Sequence, residues 1–181
     1  MIKRLILQAY LFALWLYNIA LSAVLLFTFR RAILRLVGNK IGKKVAIHRC
    51  VTVRSFQGLE IGDGTVVNYH TLLDARRKIK IGRHVNIAHD VAIYTLGHDI
   101  DTGDFRSSGS SVEIGDYCVI FAKVIIMPGV KLNKGAVVYP GAVVCRSVGE
   151  FEVVGGNPAK FIRMRERNLG YKLSYEFWFG H

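Results

Sequence analysis

Branched aliphatic residues recur at every sixth position along most of the chain. They stand at Ile41, Ile47 and Val53, then Ile61, Val67 and Leu73, then Ile81, Ile87 and Ile93, and last at Ile114, Ile120, Ile126, Leu132, Val138 and Val144. A six-residue apolar period fits neither the 3.6-residue repeat of an amphipathic helix nor the alternation of a half-buried strand. It is the signature of a hexapeptide β-helix, in which three short strands complete one triangular coil. Each strand turns its aliphatic residue inward, and stacked coils bury these residues as ladders. Four positions after the aliphatic stands a small or β-branched residue (Val45, Val51, Thr65, Thr71, Val85, Val91, Cys118, Val124, Val130, Ala136, Ala142), as an inward position beside the ladder requires. Gly62, Gly82, Gly115, Gly129, Gly135 and Gly141, with Pro128 and Pro140, suit the sharp corners. An antiparallel sandwich of short strands would not hold this register so long.

Coil lengths locate an interruption. Ile41 to Ile61 is 20 residues, Ile61 to Ile81 is 20, and Ile114 to Leu132 is 18, whereas Ile81 to Ile114 is 33. The excess falls at 97–111, a polar, Gly/Ser-rich loop carrying His98. Ejected loops of this length in an otherwise regular fold are usually functional.

Before the repeat, residues 5–29 hold 25 positions without a charge, bracketed by Lys3-Arg4 and Arg30-Arg31. As one helix this stretch would be about 37 Å long, enough to cross a hydrocarbon core of about 30 Å. It exceeds the apolar run of a cleaved signal peptide. Six basic residues follow it closely (Arg30, Arg31, Arg35, Lys40, Lys43, Lys44) against two before it, which predicts a cytoplasmic C-terminal domain. Gln8, Asn18 and Ser22 share one side, so the helix is equally able to lie in the interface or pack on other helices. The expected organisation is a membrane-associated helix over 1–38, a β-helix over 39–157 and a C-terminal segment over 158–181. That last segment reads as a short basic helix at 159–168 covering the final coil, followed by an aromatic tail (Tyr171, Tyr175, Phe177, Trp178, Phe179) suited to a bilayer interface or a subunit contact.

A net charge of +12 points to anionic partners, a phosphorylated ligand or an anionic membrane. No basic helix or aromatic–basic motif suggests nucleic acid. Cys50, Cys118 and Cys145 have neither metal-site spacing nor a disulfide framework, which favours reduced thiols in a cytosolic compartment.

The hexapeptides, the inserted Thr95-Leu96-Gly97-His98 and the ending Val154-Gly155-Gly156-Asn157-Pro158-Ala159-Lys160 together resemble the hexapeptide-repeat O-acetyltransferases, the maltose, galactoside and exopolysaccharide enzymes among them. The resemblance spans about 41–163. It implies a mainly β fold, a left-handed parallel β-helix, assembled as a homotrimer with acetyl-CoA sites between neighbouring subunits. It implies that His98 is the catalytic base, that Asn68 and Asp74 hold the acceptor, and that Ala122, Pro140, Cys145, Arg146, Lys160 and Arg163 line the acetyl-CoA groove, with no metal required. Val119 and Cys145 depart from the tryptophan and threonine usual in the family, so pantetheine packing is expected to differ. Asp74 also stands one residue short of the family's spacing.

The chemistry suits these residue types. A sugar hydroxyl attacks a thioester only as its proton is removed, and imidazole, with an unperturbed pKa of about 6.5, is the natural base. Arg146, Lys160 and Arg163 would pair with CoA phosphates. A lone loop histidine is otherwise an ordinary surface residue, and a turn asparagine such as Asn68 often bonds its own backbone. His84 and His89 form an H-x4-H pair like that of β-helix carbonic anhydrases, but one place later in the hexapeptide, and the His98 loop is foreign to that enzyme. The expected activity is acetyl transfer to a sugar hydroxyl in surface polysaccharide synthesis, at the cytoplasmic face of a bacterial cell membrane. An N-acyltransferase on an amino sugar or antibiotic, or a non-catalytic scaffold in a membrane glycan complex, are the alternatives.

Overall fold

The six-residue period builds three parallel sheets, one on each face of a triangular prism. The computed structural model describes residues 1–174. The first sheet stacks Lys40–Ile41, Leu59–Ile61, Ile79–Ile81, Val112–Ile114 and Lys131–Leu132. The second stacks Ala46–Ile47, Val66–Val67, Asn86–Ile87, Val119–Ile120, Val137–Val138 and Glu152–Gly155. The third stacks Thr52–Val53, Leu72–Leu73, Ala92–Ile93, Ile125–Ile126 and Val143–Val144. Register is in phase along every face: Ile41, Ile61, Ile81, Ile114 and Leu132 stand opposite one another in turn, as do Val53, Leu73, Ile93, Ile126 and Val144. Every ladder aliphatic is buried, and so is every small residue four positions on.

The corners need backbone in the left-handed region. Lys44, His84 and Tyr117 adopt it at the corner after the first sheet, and Cys50, His70, Asp90 and Lys123 at the corner after the second. Glycine fills the equivalent places at Gly64, Gly135 and Gly141, where no Cβ opposes that conformation. Buried Thr65 stitches coils together, donating to the Gly82 carbonyl and accepting from the Val85 N–H. Cys118 is buried in the same column, and burial pushes its thiol up to about 12, which leaves it inert.

The first coil poses a problem of unmet hydrogen bonds. In later coils the carbonyls of Ile61, Thr65, Val67 and Leu73 accept from N–H groups of the coil before them. The equivalent carbonyls of the first coil, Ile41, Val45, Ile47 and Val53, have no such coil. Two helices supply the donors: α1 (Ile2–Ala23) and α2 (Phe27–Leu36). Arg35 donates to Ile41, Arg31 to Val45, Arg30 to Ile47, and the Asn18 amide to Val53 while accepting from the Val53 N–H. Arg30 is fully buried and also bonds the Leu21 carbonyl at the end of α1. Burial, with the Arg49 charge adding to it, pulls its pKa below the ordinary arginine value.

Two expectations are corrected here. The apolar stretch at 5–29 is not one helix, because the chain turns extended at Val24 and Leu26 so that α2 can lay its arginines over the first coil. Nor is 159–168 helical: Lys160–Met164 is a strand running antiparallel to Glu152–Gly155. The last parallel strand has a free edge, and pairing with it outweighs the helix propensity of a Lys/Arg/Met-rich segment. Tyr175, Phe177, Trp178 and Phe179 of the aromatic tail lie outside the described residues.

Replacing Arg30 by Met leaves the Leu21 and Ile47 carbonyls without donors, and roughly 1–3 kcal/mol should be lost for each. Urea unfolding measures this, and an unchanged midpoint would refute the capping role. Ile120→Ala, in the middle of a ladder, should cost about 2–5 kcal/mol by the same assay.

Candidate active site

The prism has three edges, and the predicted site residues sort onto them. After the third-sheet strand Ala92–Ile93 the chain leaves the coil and returns only at Val112–Ile114. The excursion folds back on itself, with Gly97–His98 pairing antiparallel to Ser107–Ser108 and His98 opposite Ser107. Asp99 fixes the tip, its N–H bonding the Arg106 carbonyl, its carboxylate accepting from the Asp101 N–H and its own carbonyl from the Thr102 hydroxyl. Gly109 brings the loop back so closely that a Cβ there would collide with the Thr95 carbonyl. Thr95 itself is buried, donating to the Asp74 carbonyl and accepting from the Arg77 N–H, so the loop springs from a fixed point.

His98 is exposed on this ribbon, its ring stacked face to face on Phe105 with centroids 4.5 Å apart and planes 6° from parallel. The stack limits ring rotation while leaving the imidazole edge free. Beside it lies a cleft of about 380 Å³ between the loop base (Gly97, His98, Ser108) and the next coil's corner (Met127, Pro128, Gly129). Its walls offer an imidazole, serine hydroxyls and backbone groups, the equipment for a hydroxyl substrate and a carbonyl electrophile.

Asp74 stands at the same edge, one coil earlier, but it presents no open carboxylate. It is fully buried, and Arg76 grips its two oxygens at 2.7 and 2.8 Å while its backbone opens the short helical turn Ala75–Arg77. The hydrogen bonds that Arg76 donates to Asp74 raise the Arg76 pKa. Cys145 and Arg146, after the third-sheet strand Val143–Val144, are exposed on this edge too.

Asn68, Ala122 and Pro140 follow second-sheet strands and so occupy a different edge. Asn68 donates to the Ile87 carbonyl at 2.9 Å, and the Ala122 carbonyl accepts from the Gly141 N–H. Lys160 and Arg163 lie on the terminal antiparallel strand, both exposed. A single chain therefore gathers His98, Asp74, Cys145 and Arg146 on one edge and Asn68, Ala122 and Pro140 on another.

Around Asn68 the structure adds residues that the sequence reading left without a role. The Tyr69 and His89 rings stack at 5.1 Å, and Asp90 meets His89 at 2.8 Å and His70 at 3.4 Å. The hydrogen bond from His89 is the main cause of the lowered Asp90 pKa. Phe121 and Tyr139 meet edge-on at 6.1 Å along the same edge. A signal existed: Tyr69 and His89 both stand two places past their ladder residue, and Phe121 and Tyr139 one place past. His84 accepts from the Leu173 N–H and packs against Tyr117, apart from His89. Among the described residues no three His, Cys, Asp or Glu side chains converge as a metal site would require.

No protein-family model matches the chain. It is 35% identical over 150 residues to WcaF of Escherichia coli, named as a colanic acid biosynthesis acetyltransferase, covering 81% of this chain and 80% of that one. A maltose O-acetyltransferase from Clostridium difficile superposes with a TM-score of 0.82 at 28% identity, covering 90% of this chain and 89% of the other. A hexapeptide-repeat acetyltransferase from Vibrio cholerae, solved with acetyl coenzyme A, gives 0.79 at 25% identity with 88% of each chain covered. With the hexapeptide ladders, the ejected histidine ribbon and a relative matched over four-fifths of its length, the chain belongs to the hexapeptide-repeat acyltransferases.

Proposed function

We propose that the protein is an acetyl-CoA-dependent O-acetyltransferase acting on a sugar hydroxyl, with His98 as general base. The observation that carries this reading is the imidazole itself, held against Phe105 at the mouth of a cleft lined by serines and backbone. In the reaction, an imidazole nitrogen takes the proton of the sugar hydroxyl as its oxygen bonds to the thioester carbonyl carbon. The tetrahedral oxyanion collapses, the carbon–sulfur bond breaks, and the imidazolium returns its proton to the departing CoA thiolate. The products are the O-acetyl sugar and CoA, and the enzyme carries no acyl group at any stage. Holding both substrates in reach supplies the rest of the rate.

The division of site residues between two edges favours assembly from more than one copy. A homotrimer in which the His98 edge of one copy faces the Asn68 edge of its neighbour would complete each site. Arg146, Lys160 and Arg163, all exposed, then serve the phosphates of CoA. The acceptor belongs to surface polysaccharide synthesis, as the name of the E. coli relative suggests for that protein. The apolar N-terminal helix attaches the enzyme to the cytoplasmic face of the cell membrane, where lipid-linked glycans are built.

His98→Ala should lower acetyl transfer by about 100- to 10,000-fold while its circular dichroism and oligomeric state match wild type. Near-wild-type turnover would sink the mechanism, and transfer to an amine but not a hydroxyl would redirect it to N-acylation. Arg146→Ala, Lys160→Ala and Arg163→Ala should each raise the KM for acetyl-CoA, by about tenfold or more for a lost charge-assisted bond. The KM for S-acetylpantetheine, which lacks the CoA phosphates, should not move.

A further inference from the structure

The helix α1 is long and apolar enough to cross a bilayer, yet its contacts are those of a helix lying across the end of the prism. Its buried or half-buried positions are Leu14, Tyr17, Asn18, Leu21 and Ser22, with Val24 just beyond its end, so one stripe of its C-terminal half is docked. Asn18 pairs with both backbone groups of Val53, and Tyr10 and Tyr17 meet Phe56 at 5.4 and 5.3 Å. These contacts hold α1 in the layer that covers the first coil. Tyr10 is the first residue to touch the domain, so only residues 1–9 stand clear of it, and they extend about 14 Å as a helix, short of the roughly 30 Å hydrocarbon core.

The helix also has two faces. Lys3 lies seven residues before Tyr10, and Tyr10, Leu14, Tyr17 and Leu21 continue the same line toward the domain. Opposite them, Leu5, Phe12, Leu16 and Ile19 are exposed, at 62%, 60%, 46% and 44%. Over its docked half the helix thus turns Phe12, Leu16 and Ile19 away from the domain, while nearer the N-terminus Ile6 and Leu7 are exposed beside Lys3. A helix held along one side and apolar along the other is suited to lie flat in an interface.

Charge identifies the surface that would cover this face. Residues 1–59 contain no Asp or Glu and ten of the chain's 25 Lys and Arg, so nearly all of the net +12 sits in the helices and the first coil. Arg54, and one coil later Arg77, are exposed on the edge that carries the His98 loop. An apolar face ringed by unopposed positive charge complements an anionic lipid leaflet, whereas a second copy of the same cationic end would repel it.

We infer that α1 is a monotopic anchor lying in the plane of one anionic leaflet, with its N-terminus and the catalytic domain on the same side of the membrane. The prism then stands on the leaflet by its N-terminal end. The His98 loop leaves the third coil, about 10 Å above the first at the strand spacing of parallel coils, with a helix layer about 10 Å thick beneath. The cleft is thereby held about 20 Å from the lipid-facing side of α1, within reach of a sugar carried on a membrane lipid. This inference deepens the membrane attachment proposed above and is independent of the acetyl-transfer chemistry.

The test uses the full chain bound to preformed phosphatidylcholine vesicles with and without phosphatidylglycerol. Wild type should float with the anionic vesicles, and Phe12→Glu/Leu16→Glu should bind at least tenfold more weakly while acetylating a soluble acceptor at the wild-type rate. In a Cys50→Ser/Cys145→Ser chain on the vesicles, Lys3→Cys and Glu166→Cys should both react with an impermeant maleimide added outside. Phe12→Cys should be protected. Protection of Lys3→Cys with Glu166→Cys still reactive means a transmembrane helix and overturns the flat orientation alone. No flotation, or an α1-dependent larger oligomer without lipid binding, overturns the attachment as well. Neither result touches the acetyl-transfer reading, which the activity on soluble acceptor reports separately.

Discussion

Parallel coils are held by hydrogen bonds that each coil can complete only with neighbours on both sides. This requirement governs both ends of the molecule. Within the stack it is met by strands a mere two or three residues long, because the in-phase ladders from Ile41 to Leu132 and from Val53 to Val144 fix every strand beside its partner. At the first coil it is met by arginine and asparagine side chains on two helices, and at the last by a strand folded back antiparallel. The helices thus cover the first coil, and the returning strand covers the edge of Glu152–Gly155, edges at which a regular β-helix could otherwise add another chain.

The same regularity makes the site. A coil cannot change its length without breaking the ladder, so an added function has to leave at a corner and return in register. The His98 ribbon does this, leaving after Ile93 and rejoining at Val112, and the ladder resumes with Ile114 paired to Ile81 as though nothing intervened. Thr95, buried and bonded on both sides, and Gly109, pressed against it, hold the two roots of the ribbon together. The histidine therefore springs from two anchored roots, a placement that suits the proposed general-base role, since a base must meet the hydroxyl proton at hydrogen-bond distance.

Much of this was legible in the sequence because the hexapeptide is a local code. The ladder aliphatics, the small residues four places on, the coil that ejects its loop and the histidine on that loop follow from counting by six, whereas buried Leu59, Ile79 and Val112 do not. What the count misses depends on partners far along the chain. Lys160–Met164 is rich in helix formers, and only the free edge of Glu152–Gly155 makes it a strand. Arg30, Arg31 and Arg35 look like a membrane-flanking cluster, and only the absence of a coil before Ile41 explains why they point at backbone carbonyls. Asp74 is an acceptor ligand by family resemblance, one residue off the family's spacing, yet Arg76, two residues on, covers both its oxygens. The stack of Phe105 on His98 needs the ribbon to fold back before the two rings can meet.

The capping arginines also separate two causes of the positive charge. Backbone carbonyls need donors, and three arginines provide them, each paired with an oxygen of the first coil. Donors alone do not require a net charge, since Asn18 does the same work neutrally. Nor does capping account for Lys3, Lys43, Lys44, Arg49 and Arg54, which are exposed, or for the lack of any acidic residue before Glu60. Beyond that point acidic and basic residues nearly balance along the coils, with pairs such as Arg83 with Asp116 and Lys131 with Glu113. An end of the molecule that carries unopposed charge and exposed Leu5, Phe12, Leu16 and Ile19 is poorly suited to water alone. It is well suited to a surface that is negative outside and apolar within.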